Sequence, residues 1–171
     1  PASTPCLVQS LTVNKTHVMK HKLINEGRQK TYALILDDGD EVSECLLEFA
    51  RHEKLKAAQF TAIGAFREVE TGFFQFKTKD YQTTHIREQV EVLSLTGDIS
   101  LYQGQPKVHA HVVLGKIDGK AYGGHLMNGI VHPTLEIILT ESPSYLEREM
   151  DEKSGIPLIR IREENESSHA F

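Results

Sequence analysis

An alternating run of residues that contains two histidines constrains this fold more than any other feature of the sequence. In residues 107–114 apolar side chains occupy every second position, and His109 and His111 lie between them. Because successive side chains of a strand point to opposite faces, this pattern predicts a strand with one apolar face and one face that carries both imidazoles. A second run, residues 122–126, places His125 a short distance further along the chain.

The segment between the two runs predicts a β-hairpin, because it contains an Asp-Gly pair. A three-residue loop that ends with a left-handed Gly119 would pair Lys116 with Lys120. Counting back from that pair places His111 directly opposite His125. Residues in such positions share a face, with Cβ atoms about 4.5–5.5 Å apart. We favour this loop.

Two other connections remain open. A two-residue loop would place His125 opposite Val112, so that its side chain would point to the wrong face. A bulge at the glycines of residues 123–124 could restore the register.

The histidines could also be ordinary polar residues on an exposed strand face, since the chain contains nine histidines in 171 residues.

Three imidazoles on one face of a hairpin are typical of a metal site. Zinc accepts three protein ligands at catalytic sites and keeps a fourth position open. His109, His111 and His125 are therefore the candidate metal ligands, and zinc is the candidate ion.

Composition limits the class of protein. The length is suited to one domain with a substantial core, and the hydrophobic content of 39% and charged content of 25% are ordinary for a soluble chain. The net charge of −5 argues against a protein that coats nucleic acid nonspecifically. No apolar run approaches the length of a transmembrane helix, so we expect no membrane partner.

The two cysteines, Cys6 and Cys45, are too few and too far apart for a disulfide scaffold. Together with the absence of a signal-peptide core, they indicate a reduced, cytoplasmic protein. We expect an N-terminal lead-in at residues 1–15, one domain at residues 16–162 and a polar tail at residues 163–171.

The periodicity predicts an α+β fold, a mainly antiparallel β-sheet with one main flanking helix. The helix is expected over residues 41–56, capped by Asp40 or Ser43. Phe73, Phe74 and Phe76 are interpreted as core residues rather than as a base-stacking surface. Besides the histidine hairpin, strands are expected at residues 16–22, 31–36, 59–65, 67–76, 88–96, 99–101, 134–140 and 158–161, with a turn at Gly97-Asp98, a polar loop at 77–84 and a helical turn at 144–150.

Five sequence motifs, in this order, resemble the plants-and-prokaryotes conserved (PPC) domain family. They are residues 63–66 (Ile-Gly-Ala-Phe), 91–97 (Glu-Val-Leu-Ser-Leu-Thr-Gly), 109–111 (His-Ala-His), 118–126 (Asp-Gly-Lys-Ala-Tyr-Gly-Gly-His-Leu) and 134–136 (Thr-Leu-Glu). The resemblance covers roughly residues 16 to 142. It implies a PPC-like fold of antiparallel strands with helices at the side, a homotrimer and, as in bacterial members, a zinc-like metal at the three histidines. Plant members join this domain to an Arg-Gly-Arg-Pro element that enters the DNA minor groove, and this chain has no such tetrapeptide.

Three functions follow as hypotheses. A metal site with an open position would suit a hydrolase or a lyase acting on a small molecule, with Glu136 as an orienting group or proton acceptor. A non-catalytic trimeric scaffold that binds a small ligand is the second. A DNA-binding or transcription-regulatory module, suggested by the family, is the third, although the acidic charge does not support nucleic acid as a partner.

Overall fold

The computed structural model describes residues 20–26, 29–142 and 146–160 of the chain. Nine strands form one sheet, and one helix packs beside it among these residues. The strands are β1 (Lys20–Glu26), β2 (Lys30–Asp37), β3 (Ala57–Gln75), β4 (Asp80–Ile86), β5 (Val90–Tyr102), β6 (Gln105–Gly115), β7 (Ala121–Glu141), β8 (Glu147–Asp151) and β9 (Ile156–Arg160), and the helix is α1 (Val42–His52). The predicted lead-in and tail lie outside the described residues.

Four of the strands close on themselves to form a small barrel. β3 pairs with β5, β5 with β6, β6 with β7, and β7 with β3. The remaining strands extend this barrel, with β2 and β1 beside β7, β4 beside β3, and the β8–β9 hairpin beside β5. The pairing of β5 with β8 is parallel and the other pairings are antiparallel, so the sheet is mixed. The predicted dominance of strands and the single helix are confirmed among the described residues.

Helix α1 covers the side of the barrel formed by β6 and β7. Its apolar residues recur at helical spacing, so that Val42, Cys45, Leu46 and Phe49 form one fully buried stripe. The helix begins after Glu41, whose side chain accepts a hydrogen bond from the Glu44 backbone N–H at 2.7 Å. The predicted helix is therefore confirmed, but neither of the predicted capping residues caps it.

Long strands replace several short ones that the sequence predicted. Two predicted strands are joined in β3, and the expected turn at Gly97-Asp98 lies inside β5. The predicted strand at residues 134–140 is the end of β7. β3 changes its register against β5 between Ala62 and Gly64, and such bulges interrupt the alternation that sequence patterns rely on.

Three further predictions of local structure are wrong. The polar loop expected at residues 77–84 contains most of β4, and the helical turn expected at 144–150 is replaced by β8 over its described part. Phe73 and Phe76 are not core residues, because their exposed fractions are 73% and 77%. They lie at the end of the β3–β4 hairpin, where the strand pair extends beyond the barrel.

Cys45 lies in the buried stripe of α1, and it is disulfide-bonded rather than the reduced thiol that the sequence analysis expected. The other cysteine of the chain, Cys6, lies outside the described residues. The described part of the chain contains no helix with the length and apolar character needed to cross a membrane.

One outward face of the barrel carries apolar side chains without a covering helix. Ile63, Leu93, Val113 and Ile138 are between 44% and 61% exposed, and they come from four different barrel strands. We call this set the open face. Three successive pairs in the strand register connect this face to the histidines. Ile138 pairs with Thr61, Thr61 pairs with Thr96, and Thr96 pairs with His111. The open face therefore continues directly into the strand that carries the histidines.

Candidate metal centre

The β6–β7 hairpin brings the three histidines together in the predicted register. Gly119 has a φ of +78°, and its N–H donates to the Lys116 carbonyl at 2.9 Å. The Lys116 N–H donates to the Lys120 carbonyl at 2.9 Å, which closes a three-residue loop. His111 is consequently directly opposite His125. The three-residue loop and the histidine pairing that depends on it are both confirmed.

The ligand atoms of His109, His111 and His125 all lie within 4.8 Å of one another. The three ring centroids are separated by 5.1 to 5.5 Å. Nitrogen ligands of a tetrahedral zinc ion, at about 2.0–2.1 Å from the metal, lie about 3.4 Å apart, so binding would bring these atoms closer by up to about 1.4 Å. These three side chains could hold a metal ion.

The surroundings of the cluster favour neutral imidazoles. Burial lowers the pKa of His125 to about 4, with further lowering from the positive charges of His109, His111, Lys107 and Arg148. Burial also lowers the pKa of His111, and His109 adds to this effect. The neutral ring is the form that binds metal, so the site is prepared for a cation at neutral pH.

A partly buried ion pair lies directly behind His109. Asp98 of β5 is opposite His109 in the strand register, and its carboxylate oxygen is 3.6 Å from the histidine Nδ1. Arg148 of β8 donates from Nη2 to both Asp98 oxygens at 2.8 Å, and the same nitrogen is 3.3 Å from the histidine Nδ1. The Arg148 side chain is only 5% exposed.

Further hydrogen bonds fix this pair. The Nε of Arg148 donates to the Ser100 hydroxyl at 2.7 Å, and Ser100 donates to Asp98 at 2.9 Å. Burial alone would raise the pKa of Asp98, but hydrogen bonds from His109 and Arg148 outweigh it and hold that pKa below its ordinary value. Asp98 is therefore an ionised, rigidly held acceptor beside a candidate ligand, which is the usual environment of metal-binding histidines.

The structure does not bring Glu136 to the histidines. Glu136 lies on the same strand as His125 but eleven positions further along, which corresponds to roughly 35–37 Å of extended chain. Its partners in the register are Ile35 and Ile63. The carboxylate that lies beside the cluster is Asp98, which the sequence analysis placed in a turn.

A cavity of about 460 Å³ opens beside the cluster, and we call it the histidine cleft. His109 and His125 line it together with residues of α1, β6, β7 and the β8–β9 hairpin. The Tyr81 ring, from β4, also lines the cleft, and its centroid lies 5.0 Å from that of His125. A ligand held in this cleft would therefore lie beside two of the three candidate metal ligands.

Fold and site together define a small strand-dominated protein whose closed barrel carries a three-histidine cluster beside a cleft. The family model of the Plants and Prokaryotes Conserved (PCC) domain matches residues 24–143, and the chain belongs to this family.

Solved structures of similar proteins carry informative descriptions. A metal-containing protein, AF0104 from Archaeoglobus fulgidus, is 32% identical, with a TM-score of 0.72, and the match covers 85% of this chain and 99% of that one. A plant- and prokaryote-conserved protein from Pyrococcus horikoshii is 29% identical with a TM-score of 0.73, covering 89% and 99%. A Bacteroides thetaiotaomicron protein, provisionally described as DNA-binding, is 27% identical with a TM-score of 0.77, covering 83% and 96%.

Curated relatives are much longer than this chain. The bifunctional protein GlmU of Synechococcus sp. (strain JA-3-3Ab) is 28% identical over 145 residues, which is 83% of this chain. The chain spans only 22% of that relative, and 21% of its counterpart in a second Synechococcus strain.

Proposed function

We propose that this protein binds one divalent metal ion, with zinc as the first candidate, through His109, His111 and His125. The observation that carries the proposal is the convergence of three ligand atoms within 4.8 Å on one rigid hairpin. A similar protein, from Archaeoglobus fulgidus, is described as metal-containing, which supports a metal in this family without specifying zinc. Three histidine ligands leave a fourth position open, and the histidine cleft is the space beside it.

Asp98 and Arg148 hold His109 ready to bind the metal in this proposal. Binding through Nε2 would place the His109 proton on Nδ1, which faces the Asp98 carboxylate at 3.6 Å and Arg148 Nη2 at 3.3 Å. A short shift of Asp98 toward His109 would then let the carboxylate accept that proton in place of the Arg148 contact. Arg148 fixes the position of Asp98 and keeps it ionised. His125 and His111 need no deprotonation at neutral pH because their pKa values are already lowered.

The proposed activity is metal-dependent hydrolysis or a lyase reaction on a small molecule. Zinc bound by three histidines lowers the pKa of a coordinated water to about 7 and polarises carbonyl groups. The walls of the histidine cleft would position a substrate beside that ion. Metal binding without any turnover would favour the alternative of a non-catalytic ligand-binding scaffold.

Elemental analysis of untagged protein, purified without added metal and then after zinc addition, tests the metal site. About one ion per chain is expected, and His111→Ala should abolish binding while the fold is retained. His85→Ala is the matched control, because His85 is an exposed histidine that contacts Glu70 at 3.1 Å outside the cluster. No metal in the wild-type protein, or unchanged metal in His111→Ala, would contradict the assignment.

The activity is tested separately, on protein that has been shown to bind metal. Turnover in a screen of hydrolase and lyase substrates should be lost after chelation and recovered when zinc is restored. Turnover that persists after complete metal removal would contradict the proposed reaction class.

We further propose a homotrimer in which the open face contacts other copies of the chain. Its exposed isoleucine, leucine and valine side chains support this, since apolar patches of this kind mark contact surfaces. Sedimentation equilibrium measures the assembly directly, and a monomer at micromolar concentration would contradict it.

DNA binding is the second candidate, because two similar structures, from Bacteroides thetaiotaomicron and Ralstonia eutropha, are provisionally described as DNA-binding. The net charge of −5 weighs against it. DNA-binding proteins lose affinity steeply with salt. Titration of duplex DNA at two salt concentrations should therefore detect no binding, and salt-sensitive binding would favour this second candidate.

A further inference from the structure

The histidine cleft has an uneven distribution of charge. Its described lining includes the basic side chains of Lys107 and Arg148 but no aspartate or glutamate. Asp98, which lies outside the lining, neutralises the charge of Arg148. Lys107 is therefore the exposed charged side chain of the cleft. In a chain of net charge −5, this is a locally positive cleft, and a divalent ion at the histidines would make it more so.

The walls of the cleft are apolar. Leu47 comes from α1, Val108 from β6, Leu126 from β7 and Leu158 from β9, so four separate elements contribute. The Tyr81 ring closes the side next to His125. Apolar walls with a few convergent polar groups are typical of sites for small organic molecules, and a volume of about 460 Å³ falls in their usual range.

Lys107 lies on the same strand face as the metal-ligand candidates. It precedes His109 by two positions on β6, which places the two Cα atoms about 6.6 Å apart. Its ammonium nitrogen lies over the Tyr102 ring, 5.6 Å from the ring centroid, and this contact leaves its positive charge unneutralised. An anionic group could therefore be attracted by Lys107 and the metal together.

We propose that the histidine cleft binds a small organic carboxylate. Its head group lies between the metal position and Lys107, and its apolar body lies against Leu126, Leu158 and the Tyr81 ring. This inference rests on the proposed metal site and adds the substrate class. Carboxylate oxygens suit both a zinc ion and a lysine ammonium group, and the apolar walls provide affinity for the rest of the molecule.

Calorimetric titration of the zinc-loaded protein with straight-chain monocarboxylates, from acetate to octanoate, tests the proposal. Affinity should rise about fourfold for each added methylene, until the cleft is filled, because each buried methylene contributes a similar hydrophobic gain. The matched alkylammonium series has the same tails and the opposite charge, and it should not bind.

Two variants locate the binding. Lys107→Met should weaken carboxylate binding at least fivefold with zinc content unchanged, whereas Lys120→Met should have no effect. Lys120 is the control because it is an exposed lysine of the same hairpin, outside the cleft. Leu158→Asn should reduce the dependence on chain length, and circular dichroism checks that each variant is folded.

The results separate this inference from the proposed function. A wild-type protein that binds no zinc contradicts the proposed function itself. A zinc-loaded protein whose affinity is independent of chain length, or unaffected by Lys107→Met, overturns the carboxylate inference and leaves the metal site intact. Equal binding of alkylammonium ions also overturns it.

Discussion

Among the residues that the sequence analysis did not identify, Asp98 matters most for the candidate metal centre. A Gly-Asp pair is typical of a turn, but Gly97 is required here for a different reason. A Cβ atom at position 97 would lie 2.6 Å from the Phe60 ring and would overlap the His109 carbonyl. The glycine therefore permits close contact between strands, and β5 continues through it to place Asp98 beside His109. Local propensity carries no information about such a contact.

Replacing Asp98 by asparagine should weaken zinc binding about 10- to 100-fold, because an amide accepts the His109 proton less strongly than a carboxylate. Competition with a chelator of known affinity measures this change. Asp38→Asn is the matched control, since Asp38 contacts His132 at 3.0 Å in an exposed aspartate–histidine pair away from the cluster. Equal zinc affinities in the two variants would contradict the role of Asp98.

The lowered pKa of His125 predicts how stability depends on pH in the metal-free protein. The unfolded chain takes up a proton at this histidine near pH 6.5, whereas the folded chain does so only near pH 4. The unfolded state therefore binds more protons in this window, and the free energy of unfolding should fall as the pH is lowered from about 6.5 to about 4. Urea denaturation at several pH values measures it.

His125→Gln isolates this effect, because glutamine does not titrate. The variant should lose part of the decrease in stability between pH 6.5 and 4 that the wild-type protein shows. An identical pH dependence in the two proteins would mean that His125 is not held neutral by the fold.

At the scale of elements, local signals in the sequence predicted the secondary structure correctly wherever the regular spacing of apolar residues was uninterrupted. The β6–β7 hairpin and the core stripe of α1 follow from regular spacing and an Asp-Gly loop. The long strands β3, β5 and β7 were predicted as shorter pieces, because bulges and bends shift the alternation. The closure of the barrel depends on pairings between distant parts of the chain, which periodicity does not encode.

The register of the β6–β7 hairpin should control the metal site. Insertion of one glycine between Lys120 and Ala121 keeps the three-residue loop but would move His125 opposite Ala110 and turn its side chain away. Zinc content should fall from about one ion per chain to near zero. Ile117→Ser leaves the register unchanged at a fully exposed loop position and should retain zinc. Circular dichroism establishes whether the insertion variant is still folded, and a folded variant with full zinc content would contradict this account.

At the scale of the whole molecule, the barrel has one side covered by α1 and an open face without such cover. Ile138→Asp should dissociate the proposed trimer, because a charged side chain would be buried without a partner in the interface. Sedimentation velocity measures the assembly state. Ile117→Asp makes the same change at an exposed loop position and should leave the assembly unchanged. A trimer that survives Ile138→Asp would exclude the open face as its contact surface.

The candidate metal ligands are close in sequence, since all three lie between residues 109 and 125. Closing so short a segment around an ion carries a small entropic cost compared with closing the barrel. If the proposed site binds zinc, the unfolded chain would retain some affinity for it, and saturating zinc would stabilise the native state by less than its native affinity alone would give. The ion would then organise the hairpin in a chain whose β3 and β7 have not yet met, so metal supply would act on the folding chain as well as on the finished protein.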